Sequence, residues 1–284
     1  MNSFALLGII GDPIGHSLSP AMHNAVLRKG GFRYLYLPFH VTPKRLKDFV
    51  RDAPSLNLAG FNVTIPHKEA VLKYLSWISP EAKAIGAANT VVVSGKKLKG
   101  YNTDAGGYLR SLTEGTGFRP RGRVALVLGA GGAARAVVYA LAWAGLKEIA
   151  IANRTRARAR RLALEFSKKF PKTRIVDVPF DLKLVNRLLP ELDLLVNTTS
   201  VGMNRTAFRG LDVRKLGRKA VVSDLVYKPR ITPLLLAAKR RGLKIHTGDG
   251  MLLHQGAAAF RLWTGRRPDL RTMKKALLAA LKRG

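Results

Sequence analysis

Val124-Ala-Leu-Val-Leu-Gly129-Ala-Gly131-Gly-Ala-Ala134, followed by Ile149-Ala-Ile-Ala-Asn153-Arg154-Thr155, decides the fold. An apolar run, a glycine turn, a helix's length of chain and a second apolar run read as strand, turn, helix, strand. Gly129, Gly131 and Ala134 fit G-x-G-x-x-A. Such a turn lets the backbone approach a pyrophosphate, which then rests on the positive end of the helix. An NAD site places an Asp or Glu about 20 residues further on, to hold the ribose 2′-hydroxyl. Here Asn153 lies 24 residues after Gly129, and Arg154, Thr155, Arg156 and Arg158 follow with no acid. A carboxylate would repel a 2′-phosphate, whereas guanidinium groups clamp one, so the pattern points to NADP.

Outward from this core, strand and helix patterns alternate. Phe4–Ile10, Tyr34–Val41, Leu58–Thr64, Asn89–Val93 and Lys97–Tyr101 read as strands ahead of it, and Arg174–Val178, Leu192–Asn197, Ala220–Asp224 and Lys244–Thr247 after it. Helices are expected from Pro20 to Gly30, over Pro43–Asp52, from Asp104, and over Thr232–Arg241, Met251–Thr264 and Pro268–Lys282. Pro66 is expected to open a further helix, with Val71, Tyr74, Leu75 and Ile78 on one face. Alternating elements imply a parallel sheet with right-handed crossovers. Three glycines and a proline in Gly115–Gly122 mark a border between two α/β domains.

The 284 residues suit two domains, and 47% apolar residues supply large cores. No apolar run is long enough to span a membrane, and the N-terminus lacks a signal-peptide layout. Cysteine is absent, which excludes disulfide and thiolate chemistry and fits a cytoplasmic enzyme. The net charge of +33 attracts anions of every kind. Its cations are spread along the chain and match no nucleic-acid-binding motif, so no specific nucleic-acid partner is expected. The six histidines form no metal-ligand spacing, and no metal is expected.

Several short runs carry groups suited to chemistry. Ser17 and Ser19 precede a helix: Ser19 reads either as its N-cap or, with Ser17, as a holder of a carboxylate at the positive helix end. Lys68 falls in the first turn of the helix expected from Pro66: it reads either as an exposed lysine pointing back into water or as a cation that opposes the helix dipole and loses its proton more easily, as general acid–base work needs. Asn89 and Asp104 lie in polar runs at strand ends, the edge where α/β sheets bind ligands, and Asn89 reads either as a turn amide or as a ligand contact. Asp104 reads as a helix N-cap or as a partner for Lys68. Asn197–Met203, Ser223–Pro229 and Gly248–Gln255 are expected at the corresponding edge of the second sheet.

In order, GHSLSP, FNVTIPHK, GAANT, NTDAGG, GAGGAARA, NRT, NTTSVGM, DLVYKP and GMLLHQGAAAF make the chain resemble the shikimate dehydrogenases over nearly its whole length. The resemblance implies NADPH-dependent reduction of 3-dehydroshikimate to shikimate, a step toward the aromatic amino acids. It implies a substrate domain over 1–104, completed by 245–284, and an NADP-binding Rossmann-like domain over 105–244, separated by a cleft. By that likeness Lys68 and Asp104 are the catalytic pair and also contact the substrate. Ser17 and Ser19 hold the substrate carboxylate with Tyr227 nearby, and Thr64, Asn89 and Gln255 contact ring hydroxyls or the reacting region. Gly129, Ala130, Gly131, Gly132 and Ala133 take the pyrophosphate. Asn153, Arg154, Thr155 and Arg158 take the 2′-phosphate, and Leu225, Gly248 and Met251 line the nicotinamide pocket. The partners expected are the small-molecule substrate and NADP(H), in a monomer or homodimer without a membrane.

Two alternatives stand beside this reading. A quinate/shikimate dehydrogenase shares most of the motifs but tends toward NAD and an acid after the second nucleotide strand. A non-catalytic polyanion binder on the same fold is suggested by the net charge alone, and intact Lys68 and Asp104 argue against it.

Overall fold

A computed structural model describes residues 4–283. The chain divides into two compact units, one of residues up to Gly107 and from Leu252 onward, the other of Tyr108–Met251. Both borders fall inside helices, a little later in the chain than the 104/105 and 244/245 that the resemblance implies, and the first lies ahead of the glycine-rich stretch Gly115–Gly122, which is not the border. The strand Lys244–Thr247, most of which the expected border assigns to the first unit, is hydrogen-bonded in register to Val221–Asp224 and so belongs to the second.

The first unit is built on a six-stranded mixed sheet. Its strands are β1 (Ala5–Gly11), β2 (Tyr34–His40), β3 (Leu58–Val63), β4 (Trp77–Ile78), β5 (Thr90–Ser94) and β6 (Lys97–Tyr101), in the order β2-β1-β3-β5-β6-β4. β1 pairs parallel with β2 and β3, while β5 runs antiparallel to β3 and β6. Helices α1 (Ser19–Lys29), α2 (Leu46–Asp52) and α3 (Pro80–Ile85) follow β1, β2 and β4 in the chain. One apolar core joins Leu7, Ile9, Met22, Val26 and Tyr36 to Phe260, Trp263, Met273 and Leu277 from the C-terminal segment. The other gathers Ile10, Val50, Phe61, Val71 and Val91.

The helix expected from Pro66 does not form. A 3-10 turn covers Ala70–Tyr74, and Trp77–Ile78 is an edge strand paired with β6. Val71 is fully buried but Tyr74 is 38% exposed, so the spacing that imitates a helical stripe belongs to two different elements.

The second unit is a doubly wound sheet. Its strands are β7 (Val124–Leu128), β8 (Glu148–Asn153), β9 (Arg174–Pro179), β10 (Leu194–Asn197), β12 (Val221–Asp224) and β13 (Lys244–Thr247); the short strand β11 (Val201–Asn204) stands outside it. The order β13-β12-β10-β7-β8-β9 with every pair parallel is that of a dinucleotide-binding fold, reversing between β7 and β10. Near-continuous apolar strands such as Val124–Leu128 suit a sheet buried on both faces. The helices are α4 (Asp104–Thr116), which crosses the border, α5 (Gly132–Trp143), α6 (Arg156–Lys169), α7 (Leu182–Leu188), α8 (Pro233–Arg240) and α9 (Gly248–Thr264); α10 (Leu270–Lys282) returns to the first unit. No helix among the described residues is long and apolar enough to cross a membrane.

One core residue of the first unit makes stability depend on pH. His23 of α1 stacks on Tyr36 at 4.4 Å, and neither ring nitrogen has a hydrogen-bond partner. Burial pulls its pKa down to about 3. The neutral ring is favoured in the fold, so its contribution is complete above pH 6.5 and is lost progressively from there toward pH 3. Chemical denaturation should show His23→Leu less sensitive to acid than the wild type. The free-energy difference between the two should move in the variant's favour by about 2 kcal/mol from pH 8 to pH 5. A difference that does not change with pH would show that His23 protonates freely in the fold.

Candidate active site

In the first unit the groups converge where β3 and β6 end and β5 begins. Lys68 lies in the turn after β3. Its backbone is pinned by Ala88 N donating to Lys68 O at 2.8 Å, and the turn by His67, whose Nε2 meets Val41 O at 2.6 Å. No helix starts at this turn, so the helix-dipole argument for Lys68 does not apply. Its side chain is instead fixed by a partner 36 positions away: Lys68 Nζ lies 2.6 Å from Asp104 Oδ2, with the side chains 13% and 4% exposed.

Asp104 is free to pair with Lys68 because it is the first residue of α4 and not its cap. Asn102 Oδ1 accepts from the amides of Asp104 and Ala105 at 3.0 and 3.2 Å. The second carboxylate oxygen of Asp104 accepts from Asn89 Nδ2 at 2.9 Å. Asn89, itself buried, also faces Thr103 Oγ1 at 2.9 Å and Gln255 Oε1 at 3.1 Å, and its Oδ1 accepts from Thr103 N at 2.7 Å. An amide nitrogen has two hydrogens for these three acceptors. Gln255 Oε1, the most distant of the three, is the acceptor this amide satisfies least. Gly107 permits this arrangement, since a Cβ there would lie 2.7 Å from the Gln255 backbone nitrogen. Asn62 supports the group from below: Nδ2 donates to Asn89 O and Thr90 Oγ1 at 3.0 Å, and Oδ1 accepts from Tyr36 Oη at 2.7 Å. Sequence reasoning does not single out Asn62, Thr90 or Thr103. A polar residue inside an apolar strand is the available signal for Asn62.

Beyond the end of β1, Ser19 is not the N-cap. Leu18 holds that position without a side-chain cap, and Ser19 is the first residue of α1. Ser17 Oγ accepts from Ser19 N at 3.3 Å, and no acid occupies the first turn. The helix end and two hydroxyls therefore offer donors to an anion. Thr64 is half-buried immediately after β3, its nitrogen bonded to Ile10 O at 2.9 Å.

In the second unit, Gly129–Ala133 form the turn from β7 into α5. Gly129 has φ +115°, and a Cβ there would collide with the Thr198 hydroxyl. A Cβ on Gly131 would meet nothing within 4 Å, which leaves open space over the uncapped start of α5, again without a first-turn acid. These features fit a pyrophosphate. Asn153 ends β8 and donates to Thr155 O at 2.9 Å. Arg154 and Arg158 are exposed and make no ion pair among the described residues. Arg156, in contrast, is held by Asp177 at 2.9 Å. The donor set beside Thr155 fits a phosphate monoester. Leu225 and Tyr227 lie in the segment after β12, Gly248 opens α9, and Met251 is buried in its first turn.

The fold is that of a dinucleotide-binding α/β protein, and its first unit carries a buried lysine–aspartate pair. Residues 9–91 match the shikimate dehydrogenase substrate binding domain, 117–224 shikimate / quinate 5-dehydrogenase, and 248–278 the shikimate 5′-dehydrogenase C-terminal domain. The chain is 50% identical over 276 residues to the NADP(+) shikimate dehydrogenase of Geobacter sulfurreducens, spanning 97% of this chain and 96% of that one. It superposes with TM-score 0.86 and 42% identity on shikimate 5-dehydrogenase of Thermus thermophilus in complex with NADP(H) and shikimate, covering 97% and 99%. With quinate dehydrogenase of Corynebacterium glutamicum in complex with NAD the TM-score is 0.88 at 33% identity, covering 98% and 100%. The chain belongs to the shikimate dehydrogenase family.

Proposed function

We propose that this chain is an NADP-dependent shikimate dehydrogenase, which reversibly reduces 3-dehydroshikimate to shikimate in aromatic amino-acid biosynthesis. The observation that carries the reading is the Lys68–Asp104 pair, held by Asn89 in the unit that matches the substrate-binding domain. NADPH, when bound, supplies the hydride. Lys68 Nζ gives a proton to the substrate carbonyl oxygen as the carbonyl carbon is reduced, and takes it back in the oxidation. Asp104 holds that amine in place through Oδ2 while Asn89 fixes its Oδ1. The first unit takes the substrate. Ser17 and Ser19 hold its carboxylate, while Thr64, Asn89 and Gln255 order its hydroxyls; Tyr227, in the second unit, is a further substrate contact. The second unit takes the nucleotide. Gly129, Ala130, Gly131, Gly132 and Ala133 receive the pyrophosphate, and Asn153, Arg154, Thr155 and Arg158 the 2′-phosphate. Leu225, Gly248 and Met251 border the nicotinamide. We place the enzyme in the cytoplasm, as a monomer or homodimer.

NADPH deuterated at the transferred position tests this reading. Shikimate formed from 3-dehydroshikimate should carry the deuterium, and unlabelled product would refute the reaction. The cofactor assignment has its own test in steady-state kinetics. Arg154→Ala should raise KM for NADPH roughly tenfold to a hundredfold, the loss of a charge-assisted contact of about 1.5–3 kcal/mol, with little change for NADH. Equal changes for both would remove Arg154 from the 2′-phosphate. The Asn153-Arg154-Thr155 run favours this reading over a quinate enzyme that uses NAD.

A further inference from the structure

At the carboxyl edge of the second sheet, Asn197 and Asp224 end neighbouring strands in register. Both are completely buried. Asp224 Oδ1 accepts from Asn197 Nδ2 at 2.8 Å and from Val226 N at 3.0 Å, and Oδ2 accepts from Thr232 Oγ1 at 2.7 Å. Asn197 carries the arrangement into the other segment: Oδ1 accepts from Thr199 N at 2.9 Å and Thr199 Oγ1 at 2.7 Å, and Nδ2 also donates to Val201 O at 2.7 Å. Gly202, at φ +113°, comes so close that a Cβ would lie 3.1 Å from Thr232 Cγ2 and 3.5 Å from Asp224 Oδ2. Gly248 packs directly on the Leu225 carbonyl, and Arg230 Nε reaches Asp249 Oδ2 at 3.2 Å, tying the second segment to the start of α9. Residues 198–203 and 225–232 are thus wrapped around one carboxylate.

We propose that Asp224 is a positioning residue for the reaction, shaping segments 198–203 and 225–232 so that Leu225 and Tyr227 meet their ligands. This rests on the roles proposed for Leu225 and Tyr227. A buried carboxylate is an expensive way to fill space, and a well-packed apolar side chain would be at least as stable. Burial pushes the Asp224 carboxyl up to about 6, so the fold keeps a charge at neutral pH in a place that opposes it. What the carboxylate provides and an apolar residue cannot is acceptance from three donors at once, Asn197 at the end of β10 and Val226 and Thr232 in segment 225–232, with Asn197 carrying the hold on to 198–203. Leu225 N, bonded to Asn197 O at 2.9 Å, starts the second segment from the same point.

The test compares wild type, Asp224→Leu, Asp224→Asn and Thr232→Val by backbone hydrogen exchange of the ligand-free chain and by steady-state shikimate oxidation with NADP+. Asp224→Leu should speed exchange in 198–203 and 225–232 and lower kcat by about tenfold to a hundredfold, the effect of a misplacement near 1 Å. KM for NADP+ should hold within about threefold, because the phosphate contacts are untouched. Asp224→Asn should largely rescue both readouts. Its Oδ1 still accepts from Val226 N and Asn197 Nδ2, and its Nδ2 can donate to the Thr232 hydroxyl. Should Asp224→Leu not fold, Thr232→Val removes one bond and should loosen 225–232 while sparing 198–203. Unchanged exchange in both segments, loosened segments with unchanged kcat, or an Asn variant as damaged as the Leu variant would each overturn the proposal. A wild type without turnover would refute the enzymatic reading itself, and exchange alone would then uphold or overturn the loop-shaping role.

Discussion

Lys68→Ala should lower kcat by about a thousandfold while KM for shikimate changes by no more than a few-fold. General acid–base groups contribute about 10²–10⁴ to rate, and Lys68 Nζ is the proton donor proposed for the carbonyl oxygen. The substrate carboxylate and hydroxyls are assigned to Ser17, Ser19, Thr64 and Gln255, so the ground state keeps its contacts. Equal losses in kcat and kcat/KM are the signature of an interaction made in the transition state. Lys68→Arg should not restore activity: a guanidinium keeps the charge but does not give up its proton in a protein. Steady-state kinetics on folded variants decides the matter. A loss of only a few-fold in Lys68→Ala would take the amine out of the reaction.

Asp104→Ala should have the second largest effect, and on two measurements at once. The Lys68–Asp104 pair is almost wholly buried, and removing one partner of a buried pair costs about 3–5 kcal/mol because the remaining charge is stranded. Asn89 Nδ2 loses an acceptor in the same substitution. Denaturation should therefore report a destabilisation of that order, and kcat should fall by about a hundredfold or more as the amine loses its fixed position. The double variant Lys68→Ala/Asp104→Ala separates the two effects. It should recover part of the stability, since no charge is stranded, and lose no more activity than Lys68→Ala alone. Stability and activity losses that simply add would mean that the two residues act independently.

Much of this arrangement is legible in the sequence, and where it is not the reasons are physical. The apolar runs of the second sheet can be placed within a residue or two because strands buried on both faces have few alternatives. The glycine turn carries its own chemistry, and the missing acid after β8 speaks for NADP. The turn at Pro66 misleads because a 3-10 turn and a two-residue edge strand together reproduce the spacing i, i+3, i+4, i+7. The sequence argument for Lys68 rests on a helix dipole that is absent; its partner lies across the sheet, and sequence spacing carries no such distance. Asp104 has two readings, and the choice depends on Asn102 taking the cap. Asn62, Asn197 and Asp224 stand inside quoted motifs without assigned roles, because their partners are brought by strand register. The net charge of +33 is not explained by any of these sites.

The most direct test of the central claim is NADP+ reduction by purified protein with shikimate, run beside quinate and beside NAD. Turnover concentrated on the shikimate–NADP+ pair is the expected result. Equal turnover with quinate and NAD, or none with any pair in folded protein that binds NADPH, would contradict it.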